Sequence, residues 1–279
     1  MLKLYLQLLV LSISLSTFGQ FEPESFRLPD GRTIPSIHLD AYVRKAMDSL
    51  DLPGLSIAII NGNDIVFHNT YGVKNNVSKD AVTKKTMFEA ASLSKPLFAY
   101  FIMRMVEENK LDLDETIFTY LEPIFPDGVV DPASLDYYKT LTPRIILSHG
   151  SGIPNWVRGK PIKIAFEPGT DFSYSGEAYQ HLGAAFALKQ GMDWGAPLDS
   201  LFIKDVALPM GMDNSLYTWD SKYENDVAQG HIDGKVNPEI NRYKKVGPAF
   251  SLHTEAEDYA MFLIEMMNPK HISTSTRDE

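Results

Sequence analysis

Ser92 and Lys95 stand three residues apart in the segment Ser92, Leu93, Ser94, Lys95, and on a helix that spacing turns a hydroxyl and an amine toward the same side. A free serine hydroxyl is a weak nucleophile. A neighbouring amine of lowered pKa can take its proton, and the positive end of a helix favours negative charge developing there. The pair points to covalent acyl transfer, in which Ser92 attacks a carbonyl, an acyl-enzyme forms and water releases it. The same spacing arises by chance as an N-cap followed by a solvated lysine, so it needs support from its surroundings. Ser94, on another helical face, reads as a packing or capping residue. The absence of cysteine excludes thiolate catalysis, thiolate zinc sites and disulfides within the chain. The seven histidines include no His-x-His or His-Glu-x-x-His spacing, so His149 and His181 read as structural hydrogen-bonders rather than metal ligands. No phosphate cradle or dinucleotide fingerprint occurs, and neither a metal nor a cofactor is expected.

The run from Phe88 to Pro96 around the pair, with Lys110, Leu111, Asp112, Leu113 and Asp114 downstream, resembles the first motif of the class C β-lactamase and penicillin-binding-protein-like serine hydrolases. Three further segments follow in the family's order. Leu147 to Pro154 resembles its conserved turn, Pro168 to Gly176 the approach to its tyrosine motif, and Pro248 to Phe262 the helix beyond. Together they extend over roughly residues 30 to 270, far beyond one short match. The resemblance implies an α+β fold of the β-lactamase/transpeptidase-like kind, with an antiparallel sheet packed on a large helical region. It implies that Tyr174 faces Ser92 and Lys95 across a cleft and that Ser175 and Gly176 contact substrate. A phenol of ordinary pKa near ~10 is a poor base at neutral pH, but a nearby lysine cation favours its ionised form. Whether Lys95 or Tyr174 takes the Ser92 proton stays open, and the three form one proton-sharing network. The implied substrates are β-lactams, D-alanyl peptides or small esters; the alternative is a protein that binds muropeptides or β-lactams without turnover.

Two departures from the family pattern qualify this. An asparagine usually stands two residues after the tyrosine and holds the substrate amide, and here that position is Gly176. Without that contact, discrimination for peptide-like amides should weaken while ester hydrolysis survives. The family also carries a third motif, Lys-Thr-Gly or His-x-Gly-like, on a later strand. His253, Thr254, Glu255 is only superficially similar, and the expectation is that the C-terminal strands and third motif are missing. That strand would supply the second oxyanion donor beside the Ser92 N–H, and one lost donor costs about 10² to 10³ in rate.

The elements that must position these groups follow from hydrophobic periodicity. Leu39, Val43, Ala46 and Met47 predict a helix over His38 to Leu50. Leu55 to Ile60 and Ile65 to Tyr71 predict two strands joined by the four-residue turn Asn61 to Asp64, the only part of the sheet expected here. From Phe88 onward, Leu97, Phe98, Phe101, Ile102, Met105 and Val106 predict a long buried helix with Ser92 near its start. Further helices are predicted over Leu141 to Ser148 with a Thr142 cap and Pro143 at the first turn, Gly176 to Lys189, Pro197 to Val206, and Thr254 to Met267 with a Thr254 cap and Glu257 three residues on.

With 279 residues and 44% hydrophobic content, the chain can bury a substantial core. Its formal net charge of -10 is scattered, which argues against a nucleic-acid partner because nothing would neutralise the phosphates. A small-molecule or peptidoglycan-derived substrate is expected instead. Lys3, the apolar run Leu4 to Leu15 and the small residues Thr17 and Gly19 predict a signal peptide over residues 1–19, cut before Gln20. The run is short of the ~20 residues of a spanning helix, so no membrane span is expected after cleavage and the mature protein is expected to be secreted or periplasmic. Residues 20–36 read as irregular and 37–279 as the hydrolase domain.

Overall fold

The computed structural model describes residues 25–125, 127–237 and 239–279. The expected signal peptide and its cleavage point lie outside them.

The two β-branched runs pair as an antiparallel hairpin, Gly54–Asn61 with Asp64–Gly72, with a bulge between Ile59 and Ile60. Its strands are longer than expected, because Asn61 pairs with Asp64 and the turn shrinks to Gly62 and Asn63. Both turn residues have positive φ, 60° and 73°, and a two-residue turn of that kind matches the twist of the strands. An isolated hairpin is marginal in water, and this one is covered on both faces. The helix Ser36–Leu50 lays Leu39, Val43 and Met47 against Leu55, Ile57 and Tyr71. The helix Ala256–Met267 packs on the opposite face. A polar tie joins that helix to the hairpin: His68 lies 3.3 Å from the Ser56 hydroxyl and 3.1 Å from the Glu257 carboxylate.

The helical region is built on Ser94–Glu107. Leu97, Phe98, Phe101, Ile102 and Met105 are fully buried, at i, i+3 and i+4 spacings. Phe101 meets Phe186 of the helix Gly176–Lys189 edge-on at 5.6 Å and Phe202 of Ala196–Phe202 at 5.9 Å, a geometry favoured by the ring quadrupoles. One core therefore fixes the helix that begins at Ser94 relative to the helix that follows Tyr174.

Several boundaries differ from expectation for local reasons. Residues 25–27 and 33–35, expected to be irregular, pair as a short hairpin. The helix Pro143–Leu147 is capped by Thr142 as expected, but the helix Ala256–Met267 is capped by Glu255, whose carboxylate accepts from the backbone N–H groups of Glu257 and Asp258. Thr254 instead belongs to a two-residue strand, His253–Thr254, paired with Phe88–Glu89. That pairing also shortens the helix expected from Phe88. The helix expected to run to Val206 ends at Phe202 and continues as a wider π turn over Ile203–Ala207. No helix among the described residues is long and apolar enough to cross a membrane.

Candidate active site

Ser92 sits in a short 3-10 turn, Ala91–Leu93, ahead of the long helix. Ala91 holds a positive φ of 45°, an uncommon conformation for a residue with a β-carbon that surrounding contacts must sustain. Those contacts come from distant segments. Ala90 N–H donates to the Leu252 carbonyl at 2.8 Å. The Tyr259 and Tyr217 hydroxyls donate to the carbonyls of Leu93 and Ser94 at 3.1 and 2.8 Å. Ser94 is buried; its hydroxyl donates to the Ala91 carbonyl and accepts from Leu252 N–H. The turn thereby presents Ser92 at the surface while its frame is buried.

Lys95 is only 4% exposed. Its ammonium donates to the Ser92 hydroxyl at 3.2 Å and to the Ala249 carbonyl at 2.8 Å, and it stands 4.6 Å from the centre of the Tyr174 ring. Ala249 is itself held by its N–H donating to the Gln180 side chain at 3.2 Å. Burial pushes the Tyr174 phenol up, but its contacts with Lys95 and Ser92 and the Lys95 charge together pull it further down, so it lies below the ordinary tyrosine value. Ser92, Lys95 and Tyr174 are thus brought together from the turn, the helix and a separate segment.

The hydroxyl of Ser175 and the N–H of Gly176, residues expected to contact substrate, are engaged within the protein. Ser175 is fully buried and serves as the N-cap of Gly176–Lys189; its hydroxyl accepts from Ala178 N–H and donates to the Pro154 carbonyl. Gly176 donates its N–H to the Asn155 side chain at 2.8 Å. A β-carbon on Gly176 would lie 2.6 Å from the Trp156 indole, so the indole occupies the space where an asparagine side chain would begin. Trp156 in turn packs on Phe250, beside Ala249, at 5.6 Å.

Sequence reasoning missed Asn155, Trp156 and Ala249, because each reaches the site only through the fold. It named His149 as a structural hydrogen-bonder. His149 lies against Tyr174, with ring centres 4.5 Å apart. His181, in the helix Gly176–Lys189, shares a hydrogen bond with Tyr138 at 2.5 Å.

The fold and this cluster define an α+β protein with a lysine-bonded serine at the head of its central helix. A family model described as Beta-lactamase matches residues 39–279, and the chain belongs to that family. It is 26% identical over 242 residues to a beta-lactamase of Pseudomonas fluorescens, covering 83% of this chain and 64% of that protein. It is 24% identical over 225 residues to the esterase EstB of Burkholderia gladioli, covering 70% of this chain and 54% of the relative. The chain therefore spans less than two thirds of the length of these relatives. In fold it is similar to the D-alanine carboxypeptidase AmpC of Burkholderia cenocepacia, with a TM-score of 0.70 at 23% identity, over 87% of this chain and 67% of the other.

Proposed function

We propose that this protein is a serine hydrolase that forms an acyl-enzyme at Ser92. The observation that carries the reading is the buried Lys95 ammonium donating to the Ser92 hydroxyl at 3.2 Å with the Tyr174 ring beside it. In acylation the Ser92 Oγ bonds to the substrate carbonyl carbon and the bond from that carbon to the leaving oxygen or nitrogen breaks. The Ser92 proton passes into the Lys95 and Tyr174 network and then to the leaving group. Water attacks the acyl carbon in the second step, and the serine regains its proton.

The substrate class favoured by this cleft is a small ester rather than a peptide-like amide or a β-lactam. Gly176 offers no side-chain amide, its N–H already bonds Asn155, and Trp156 fills the adjoining space. Residues 1–19, read as a signal peptide, fit a secreted or periplasmic enzyme meeting small or peptidoglycan-derived substrates.

The test is covalent labelling followed by mass spectrometry. The protein should gain the mass of a fluorophosphonate at Ser92, Ser92→Ala should gain none, and a nitrophenyl ester should be hydrolysed faster than nitrocefin. No adduct on the unmodified protein at saturating reagent would overturn acylation and leave binding without turnover; nitrocefin as the better substrate would overturn only the ester preference.

A further inference from the structure

The Tyr174 phenol stands on an irregular segment, Pro168 to Ser175, and its side chain is 40% exposed. An aromatic side chain in such a place needs something to fix both its backbone and its ring. One residue supplies both. The His149 carbonyl accepts from the N–H of Ser173, one residue before Tyr174, at 2.9 Å. Its Nδ1 accepts from the N–H of Ser175, one residue after, at 3.1 Å. Its ring lies 4.5 Å from the Tyr174 ring at an interplanar angle of 36°, and 5.1 Å from that of Tyr179. His149 itself holds a positive φ of 59°, a conformation that needs surrounding structure to sustain it in a residue with a β-carbon.

We propose that His149 is a positioning residue for Tyr174: a neutral imidazole, protonated at Nε2, brackets the tyrosine through the backbone on either side and backs its ring. This inference rests on the reading of Ser92, Lys95 and Tyr174 as one acylating network. The tautomer follows from the bond, because an Nδ1 that accepts from Ser175 N–H carries no proton of its own. A second cation beside Lys95 is disfavoured, and burial followed by the Lys95 charge holds the His149 imidazolium below the ordinary histidine range. The titratable groups that face the pair are Lys95 from the central helix and Tyr179 from the helix that follows. Protonating His149 would remove the acceptor for Ser175 N–H and release one side of the bracket.

The test uses two variants of similar size. His149→Asn sets its amide oxygen near the Nδ1 position and keeps the acceptor, whereas His149→Gln carries its amide further out, toward the Nε2 position, and loses it. Acylation by a nitrophenyl ester should fall about 10- to 100-fold in His149→Gln, in kcat rather than KM, and stay within about threefold in His149→Asn. In a Tyr174→Phe background the His149→Gln change should cost less than about twofold, because residues acting through one another are not additive. Costs that multiply in the double variant would overturn the proposal. The second readout needs no turnover: with 13Cζ-tyrosine labelling and Tyr174→Phe for assignment, the Tyr174 titration should move in His149→Gln and not in His149→Asn. An unmoved titration in both sinks the assignment of His149, whereas failure of Ser92 to take any label sinks the proposed function and leaves the NMR titration to decide the role of His149.

Discussion

The Trp156 indole stands where a side chain on Gly176 would begin, with its Cζ2 2.6 Å and its Cη2 2.8 Å from a β-carbon built there. Both atoms are the outer edge of a partly exposed ring, so the clash is relieved by moving the indole rather than the backbone. Gly176→Asn should therefore fold but lose stability, by about 1 to 3 kcal/mol as overpacking usually does, read by urea unfolding. Trp156→Ala in the same chain should recover most of that loss. The double variant should also raise the ratio of nitrocefin to nitrophenyl ester hydrolysis, since an amide at residue 176 then has room to meet the substrate; an unchanged ratio would detach specificity from this contact.

Lys95 has two polar partners and one aromatic neighbour, so its removal should separate chemistry from packing. Lys95→Met fills a similar volume but leaves the Ala249 carbonyl without its donor. Stability should fall by about 1 to 3 kcal/mol, the cost of an unsatisfied buried acceptor. Acylation should fall about 10² to 10⁴-fold, the range for a proton-transfer group. With the cation gone and burial retained, the Tyr174 phenol should rise. A rate within about tenfold of the unmodified protein would place the base elsewhere.

Much of this site was legible in the sequence because it is local. Ser92 and Lys95 are three residues apart, and the helix Gly176–Lys189 has the bounds read from the sequence. The α+β architecture was implied by the resemblance to the serine hydrolases, and the hydrophobic patterning supplied only the hairpin and the amphipathic helices within it. What was not legible depends on pairing between remote segments. The two strand residues Phe88 and Glu89 exist because His253 and Thr254 lie alongside, and a two-residue strand has no periodicity to read. Glu255 displaced Thr254 as the helix cap for the same reason, since Thr254 is committed to that ladder. Asn155 and Trp156 follow a turn that looks like a surface loop, and only the packing of that turn against Ser175 and Gly176 gives them a role. Ser175 shows the converse: its position beside the tyrosine suggested substrate contact, and its hydroxyl is taken up by Pro154 and Ala178.

Acid should weaken the site through His149. Its folded pKa lies below the ordinary 6.5, through burial and then the Lys95 charge. A depressed value means that the stabilisation is present above about pH 6.5 and is lost as pH falls through the folded value. The urea midpoint of the unmodified protein should therefore drop more steeply below about pH 6.5 than that of His149→Asn, which keeps the acceptor but does not titrate. Parallel curves would mean that carboxylates elsewhere account for the whole acid limb.

Alkali should act through Glu255, which caps the helix whose Tyr259 hydroxyl holds the Leu93 carbonyl next to Ser92. Burial and then contact with the Asp258 carboxyl push Glu255 up to about 8, against the pull of the Glu257 and Asp258 N–H groups. His68 faces it from the hairpin at 3.7 Å and Glu257 lies beyond His68 at 3.1 Å. Because the folded value exceeds the ordinary 4.5, the stabilisation is complete below about pH 4.5 and is lost as pH rises through about 8. Glu255→Gln cannot ionise, and it offers one oxygen where the glutamate offers two, so it should be less stable at every pH yet show a flatter dependence across this window. The slope is the quantity to measure, by urea unfolding at closely spaced pH values, since the midpoint alone mixes the lost cap with the lost titration. Because the capped helix carries the Tyr259 hydroxyl that holds the Ser92 turn, ester hydrolysis by the unmodified protein should also become heat-labile first at the alkaline end. Equal slopes for the two proteins would show that Glu255 is ionised throughout and that the carboxylate pair does not couple pH to the serine.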